Sequence, residues 1–177
     1  MNDRIIIGID PDVKDSGVAR LDCSTRQVRI ASLPFPDLLD YLRREKLAAT
    51  AANTPCVVVI EAGWMNKTHW HISPRDSRQA AAAKGNQVGR NHETGRKIAE
   101  MCRHWQIPFV LQRPLPLHAG GRPLWSGKDG KASQADLEAF MEFSPSRTNQ
   151  EGRDAALLAW HHAGLPIVIN RKNKRRQ

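Results

Sequence analysis

The amino-acid sequence predicts a mixed α/β fold: one five-stranded sheet, three antiparallel strands then two parallel, flanked by helices. Three observations predict it. Three strand-like segments follow one another near the N-terminus across short polar turns: residues 4–10 (RIIIGID), 16–22 (SGVARLD) and 27–33 (QVRIASL). Two further apolar runs, 55–62 (PCVVVIEA) and 107–111 (IPFVL), come later and are separated by long helical stretches. Consecutive strands across tight turns form a meander, whereas strands alternating with helices form a parallel, helix-covered sheet.

The helices between them carry recognisable signals. Pro36 opens the first, with Leu38, Leu39, Leu42 and Leu47 as its apolar stripe. Asp76 or Ser77 caps the second, which runs toward Trp105 and buries Val88, Ile98, Ala99, Cys102 and Trp105. Gly85, Gly89 and Gly95 lie inside it, where they weaken the helix or admit a close neighbour. Residues 113–130 are rich in Pro and Gly and read as a loop, and 131–143 and 148–163 read as two further helices. The chain is expected to form one domain over 1–170, followed by a disordered tail, 171–177, in which five of seven residues are Lys or Arg.

Composition narrows the class. Of the 177 residues, 40% are hydrophobic and 25% charged, an ordinary globular mix that supports a core without staples. No run of eighteen apolar residues occurs and the N-terminal run is too short for a signal peptide, so a cytoplasmic location is expected, in a bacterial cell or encoded by a phage. Cys23, Cys56 and Cys102 are odd in number and widely spaced, which argues against a zinc site or a disulfide framework. Twenty-seven Lys and Arg against 18 Asp and Glu give a formal charge of +9, which attracts polyanions, nucleic acid first among them.

The acids that stand out are those at element ends. Asp10 and Glu61 finish two strands, and Asp154 lies early in the last helix, with Glu151 three residues before it on the same face. Brought together, such acids make a site of high negative charge that a cation relieves, and oxygen-only ligands suit Mg²⁺, with Mn²⁺ able to substitute. In a basic protein this points to two-metal phosphodiester hydrolysis. Singly, each acid has a plainer reading: Asp10 and Glu61 as caps or salt-bridge partners, Asp154 as a complement to the helix dipole, Glu151 as part of a capping box begun by Thr148.

In these motifs the chain resembles the RuvC-type Holliday junction resolvases of the RNase H-like superfamily. The resemblance runs from Arg4 to about His162, through IIIGIDPDVKDSGVA, VVVIEAGWMNK, NQVGRNHETG, WSGKDGKASQADLEAFM and EGRDAALLAW in the family's order. It implies an RNase H-like fold, a Mg²⁺-dependent endonuclease that resolves branched DNA, catalytic roles for Asp10, Glu61, Glu151 and Asp154, and a homodimer. The dimer matches a four-way junction's near two-fold symmetry, and its surface is placed on the helix over 76–105. The chain departs from the family at Asp12, where Gly is usual, at Glu151, where Asp or His is usual, and at Gln134, where a catalytic lysine often stands. Lys128 or Lys131 replaces that lysine.

Contacts to DNA are assigned to Trp64, Lys67, Trp70, Arg75, Arg78, Lys128 and Lys131, because basic residues among aromatics suit phosphate contact plus base stacking. Two other readings compete: another RNase H-like nuclease, acting on RNA–DNA hybrids or mobile-element DNA, and a noncatalytic branched-DNA-binding protein. A two-lobed sugar kinase, suggested by GIDP, needs a longer chain and a glycine-rich phosphate loop after Asp10.

Overall fold

The computed structural model describes residues 4–66 and 76–169. The tail expected to be disordered lies outside the described residues, as do Lys67, Trp70 and Arg75. No described helix is long and apolar enough to cross a membrane.

The centre of the molecule is β1 (Ile5–Asp10), buried along nearly its whole length. It pairs antiparallel with β2 (Ser16–Asp22), which pairs antiparallel with β3 (Gln27–Leu33). On its other side β1 pairs parallel with β4 (Cys56–Glu61), and β4 parallel with β5 (Phe109–Gln112). This is the predicted arrangement of three antiparallel strands followed by two parallel ones, the RNase H-like order. The run IIIGID is apolar on both faces because helices cover both faces of the sheet.

Alternation along the strands sorts the core into two layers. Ile5, Ile7, Ile9, Val58 and Ile60 face α1 (Phe35–Ala51) and α2 (Arg78–His104). Ile6, Ala19, Leu21 and Val59 face the final helix, Gln150–His162. Side chains of period two require this division.

The sheet has a sixth strand that the sequence does not predict. Residues 131–143 are not one helix: only α3 (Gln134–Glu138) is helical, begun by a capping box between Ser133 and Asp136. The chain then enters a short strand, Glu142–Ser144, parallel to β3, with Phe143 opposite Val28. Pairing with the open edge of β3 overrides the local helical preference. Within 113–130 two short strands, β6 (His118–Ala119) and β7 (Arg122–Pro123), pair around Gly120 and Gly121, both at positive φ as a two-residue hairpin of this kind requires. The strand Glu142–Ser144 is therefore β8, and the last helix is α4.

Three predicted helix details change. Leu38 and Leu42 are buried in α1, but Leu47 is 69% exposed. It sits nine residues beyond Leu38, about 180° around the helix axis, and so faces away from the sheet. In α2, Ser77 is the cap, its Oγ accepting from Ala80 N at 3.1 Å. Ile98, Ala99 and Cys102 are buried as predicted, whereas Val88 and Trp105 are only half-buried. In α4 the cap is Asn149, whose side chain accepts from Gly152 N at 3.0 Å. That moves Glu151 to the second helical position and removes the capping box predicted from Thr148.

Two glycines fix how closely α4 approaches the sheet. A Cβ on Gly8 would lie 2.2 Å from the Ala155 carbonyl oxygen, and one on Gly17 2.1 Å from that of Glu151. Backbone therefore rests on backbone, and the first turn of α4 stands directly over the ends of β1 and β2.

Candidate active site

Asp10 is the last residue of β1 and Glu61 the last of β4. The two strands are parallel with Ile9 opposite Ile60, so Asp10 and Glu61 are the next positions along neighbouring strands, roughly 5 Å apart in backbone spacing. By alternation both carboxylates leave the sheet on the side of Ile6 and Val59, the face that α4 covers. Gly17, the antiparallel partner of Asp10, touches the backbone of Glu151. The sheet thus supplies two acids from below, and the first two turns of α4 bring Glu151 and Asp154 from above. Glu61, Asp154 and Glu151 all raise the pKa of Asp10 by their charge. The structure places all four predicted acids around one cleft of about 870 Å³.

The electrostatics follow from this crowding. Burial, then the charges of Glu61 and Asp154, hold the Asp10 carboxyl well above the usual carboxylate range. Burial, then the charge of Asp154, pushes Glu61 up to about 7. Removing water from a carboxylate and setting another beside it both disfavour ionisation.

Among the described residues, one cation stands among these acids. The Lys131 ammonium donates to Asp154 Oδ2 at 2.8 Å. Burial pulls its pKa down, but the charges of Asp154, Asp10 and Glu61 outweigh that and hold it above the ordinary lysine value. The other oxygen of Asp154 accepts from Gln150 Nε2 at 2.8 Å. Among the described residues no three His, Cys, Asp or Glu side chains are arranged to hold one ion. Four carboxylates make an oxygen-only donor set, the kind of chemistry that suits a hard divalent cation.

Several supporting residues carry no sequence signal of their own. Gln150 also donates to the Ala132 carbonyl at 3.3 Å, and Arg153 donates to Ala132 and Thr148 carbonyls at 3.1 and 2.7 Å. These bonds tie the lysine-bearing loop to the start of α4. That loop is closed at its base by Asp136, which accepts from the backbone N–H groups of Ser126 and Ser133 at 2.8 and 2.9 Å. On the opposite wall, Asn91 of α2 grips the turn after Asp10. Its Nδ2 donates to Asp12 Oδ2 at 2.9 Å and its Oδ1 accepts from Val13 N at 3.1 Å. Asp12 thereby anchors the turn to α2. An asparagine on a helix 79 residues away leaves no pattern in the chain that links it to Asp12.

Among the residues assigned to DNA, Trp64 lies in a 3-10 turn (Gly63–Met65) and lines the cleft. It is half-buried: its ring packs where a Cβ on Gly95 would be 2.5 Å away, meets His92 edge-on at 6.1 Å, and carries Arg96 over its face at 5.5 Å. Arg78 is the exposed first residue of α2, and Lys128 is exposed in a 3-10 turn (Lys128–Gly130). Of the two candidate lysines, Lys131 is the one among the acids. His161 pairs with Gln112 at 3.3 Å.

The sheet order, three antiparallel strands then two parallel with helices on both faces, is that of an RNase H-like fold. The sequence matches no protein-family model and no curated protein. Among solved structures the chain is similar to a Thermus thermophilus RuvC structure, with a TM-score of 0.45 and 13% identity over 90% of this chain and 93% of that one. It is similar also to T. thermophilus RuvC in complex with a Holliday junction substrate, with a TM-score of 0.44 and 13% identity over 90% and 92%.

Proposed function

We propose that this cleft is the active site of a divalent-metal-dependent endonuclease that cuts branched DNA, four-way junctions in particular. The observation that carries the proposal is the pairing of Asp10 and Glu61 at the ends of adjacent parallel strands, recessed and held toward protonation, under the acids of α4. Negative charge accumulated in a basic protein, at a cost to folding, calls for a functional cation. Asp10, Glu61, Glu151 and Asp154 would hold Mg²⁺ or Mn²⁺. When bound, such ions activate water and neutralise charge developing on a phosphate. Lys131 supplies a fixed positive charge beside Asp154 and orients the phosphate that enters. Trp64, Arg78 and Lys128, with Lys67, Trp70 and Arg75, bind the DNA around the site. A homodimer would present two such clefts to the two strands of a junction.

The test is a panel of labelled four-way, flap, duplex and RNA–DNA hybrid substrates with Mg²⁺ or Mn²⁺, run beside Asp10→Asn and Asp154→Asn. Junction cutting by the unaltered protein, abolished in both variants with binding retained, is the expected result. Preference for hybrid over junction would replace the resolvase reading with that of another RNase H-like nuclease. The engagement of both Asp154 oxygens by Lys131 and Gln150 favours a second reading, a noncatalytic junction binder. Junction binding without cutting in either metal selects it. Sedimentation with and without junction DNA tests the dimer.

A further inference from the structure

We infer that the flank of α2 facing β5 is a second phosphate-binding surface, separate from the cleft, that follows the backbone of a duplex arm as it leaves the site. The inference rests on the reading of the cleft as a branched-DNA site. It starts from the charge on α2, which carries six Lys or Arg (Arg78, Lys84, Arg90, Arg96, Lys97, Arg103) against two acids, Glu93 and Glu100. At 100° per residue, Arg78, Arg96 and Arg103 fall within about 20° of one another, while the buried face around Gly95, Ile98 and Cys102 lies about 110° away. The three arginines therefore form one line along the helix flank. Arg96 and Arg103 are seven residues apart, about 10 Å along the axis.

Two of these side chains are held by aromatic rings. Arg96 lies over Trp64 at 5.5 Å, and Arg103 over Phe109 of β5 at 5.6 Å. A stacked guanidinium keeps its edge N–H groups free for phosphate oxygens and loses less freedom on binding than an unsupported one. Among the described residues Arg96 has one competing acid, Glu93, at 3.9 Å, with both side chains more than half exposed. Such a pair is weak and gives way to a phosphate. Trp64 joins the two surfaces, since one side of its turn lines the cleft and its face carries Arg96. From there the line runs to Arg103, beside the start of β5 and so toward the end of the sheet opposite the acids. Gly85 and Gly89 lie on the same flank, and no atom of the described residues stands within 4 Å of where a Cβ would be at either.

The experiment measures affinity of the full chain for a four-way junction in chelator, without cutting, over a range of salt concentration. Each lost phosphate contact lowers the slope of log affinity against log salt by about 0.9, so Arg96→Gln with Arg103→Gln is expected to reduce it by about 2. Arg96→Lys with Arg103→Lys keeps the charge and is expected to keep the slope, which separates phosphate contact from damage to the fold. Arg29→Gln, on the outward face of β3, is expected to leave the slope unchanged. A glutamine pair with an unaltered slope overturns the inference. An unaltered slope with a change in sedimentation assigns the flank to contact between two copies instead. Failure of the unaltered protein to bind any branched DNA removes the reading of the cleft and this inference with it, and is recognised before any variant is made.

Discussion

Replacing Gly17 by alanine tests whether the close seat of α4 on the sheet builds the site. The new Cβ would lie 2.1 Å from the Glu151 carbonyl oxygen, whereas ordinary contact begins at 3.4 Å. The atom in the way is backbone, which cannot rotate aside, so the first turn of α4 must lift by the difference, about 1.3 Å. Overpacking of this kind costs about 1–3 kcal/mol, with the upper part of that range expected because the helix is otherwise fully packed. The lift acts on Glu151 and Asp154 directly, and a misplacement of about 1 Å costs on the order of 10²-fold in rate. Urea unfolding reads the first effect, and single-turnover junction cleavage with Mn²⁺ affinity reads the second. Gly85→Ala and Gly89→Ala serve as contrasts: with no neighbour within 4 Å among the described residues, each is expected to stabilise by up to about 1 kcal/mol through helix propensity. If Gly17→Ala unfolds within about 0.5 kcal/mol of the unaltered protein and cleaves normally, the backbone seat does not position the acids and the argument fails.

Other consequences can be checked separately. Asp10 and Glu61 titrate higher in the folded chain than unfolded, so the folded state binds more protons and the metal-free protein loses stability as pH rises. For Glu61 that loss falls between the usual 4.5 and about 7 and amounts to at most about 3 kcal/mol; Glu61→Gln is expected to flatten the decline in thermal midpoint, and an unchanged decline contradicts the assigned crowding. Asn91→Ala removes both bonds to the turn after Asp10. It is expected to slow cleavage at saturating DNA with little change in affinity, and an effect on affinity alone would show that Asn91 binds substrate instead. In α1, Leu42→Ala is expected to cost about 2–5 kcal/mol, but Leu47→Ala less than about 0.5; equal losses in chemical denaturation would contradict the orientation of that helix.

How much of this was legible beforehand depended on whether the signal is local. The apolar runs at β1 and β4, the Ser77 cap and the acids closing two strands are all read from neighbours in the chain, and each stands where the sequence puts it. Leu47 belongs to the apolar composition of α1 but not to its buried arc, a matter of angle that the sequence states and a list of leucines does not. The strand Glu142–Ser144 was hidden because its stability comes from β3, more than a hundred residues earlier. Asn91 and Gln150 were silent for the same reason: their partners are distant or are backbone atoms, and a polar residue on an amphipathic helix looks like solvent-facing filler until the turn or loop it grips is in place.

The sequence by itself determined the order of the first five strands and of the helices α1, α2 and α4, the basic charge and the identity of four candidate acids, because periodicity, capping and composition act over a few residues. Only the tertiary structure decided that Asp10 and Glu61 share one face with α4, that Lys131 rather than Lys128 stands among them, and that Asp154 is already engaged. Those outcomes depend on strand register and on two glycines letting backbone touch backbone, and contacts between residues so far apart in sequence are fixed only when the whole chain packs.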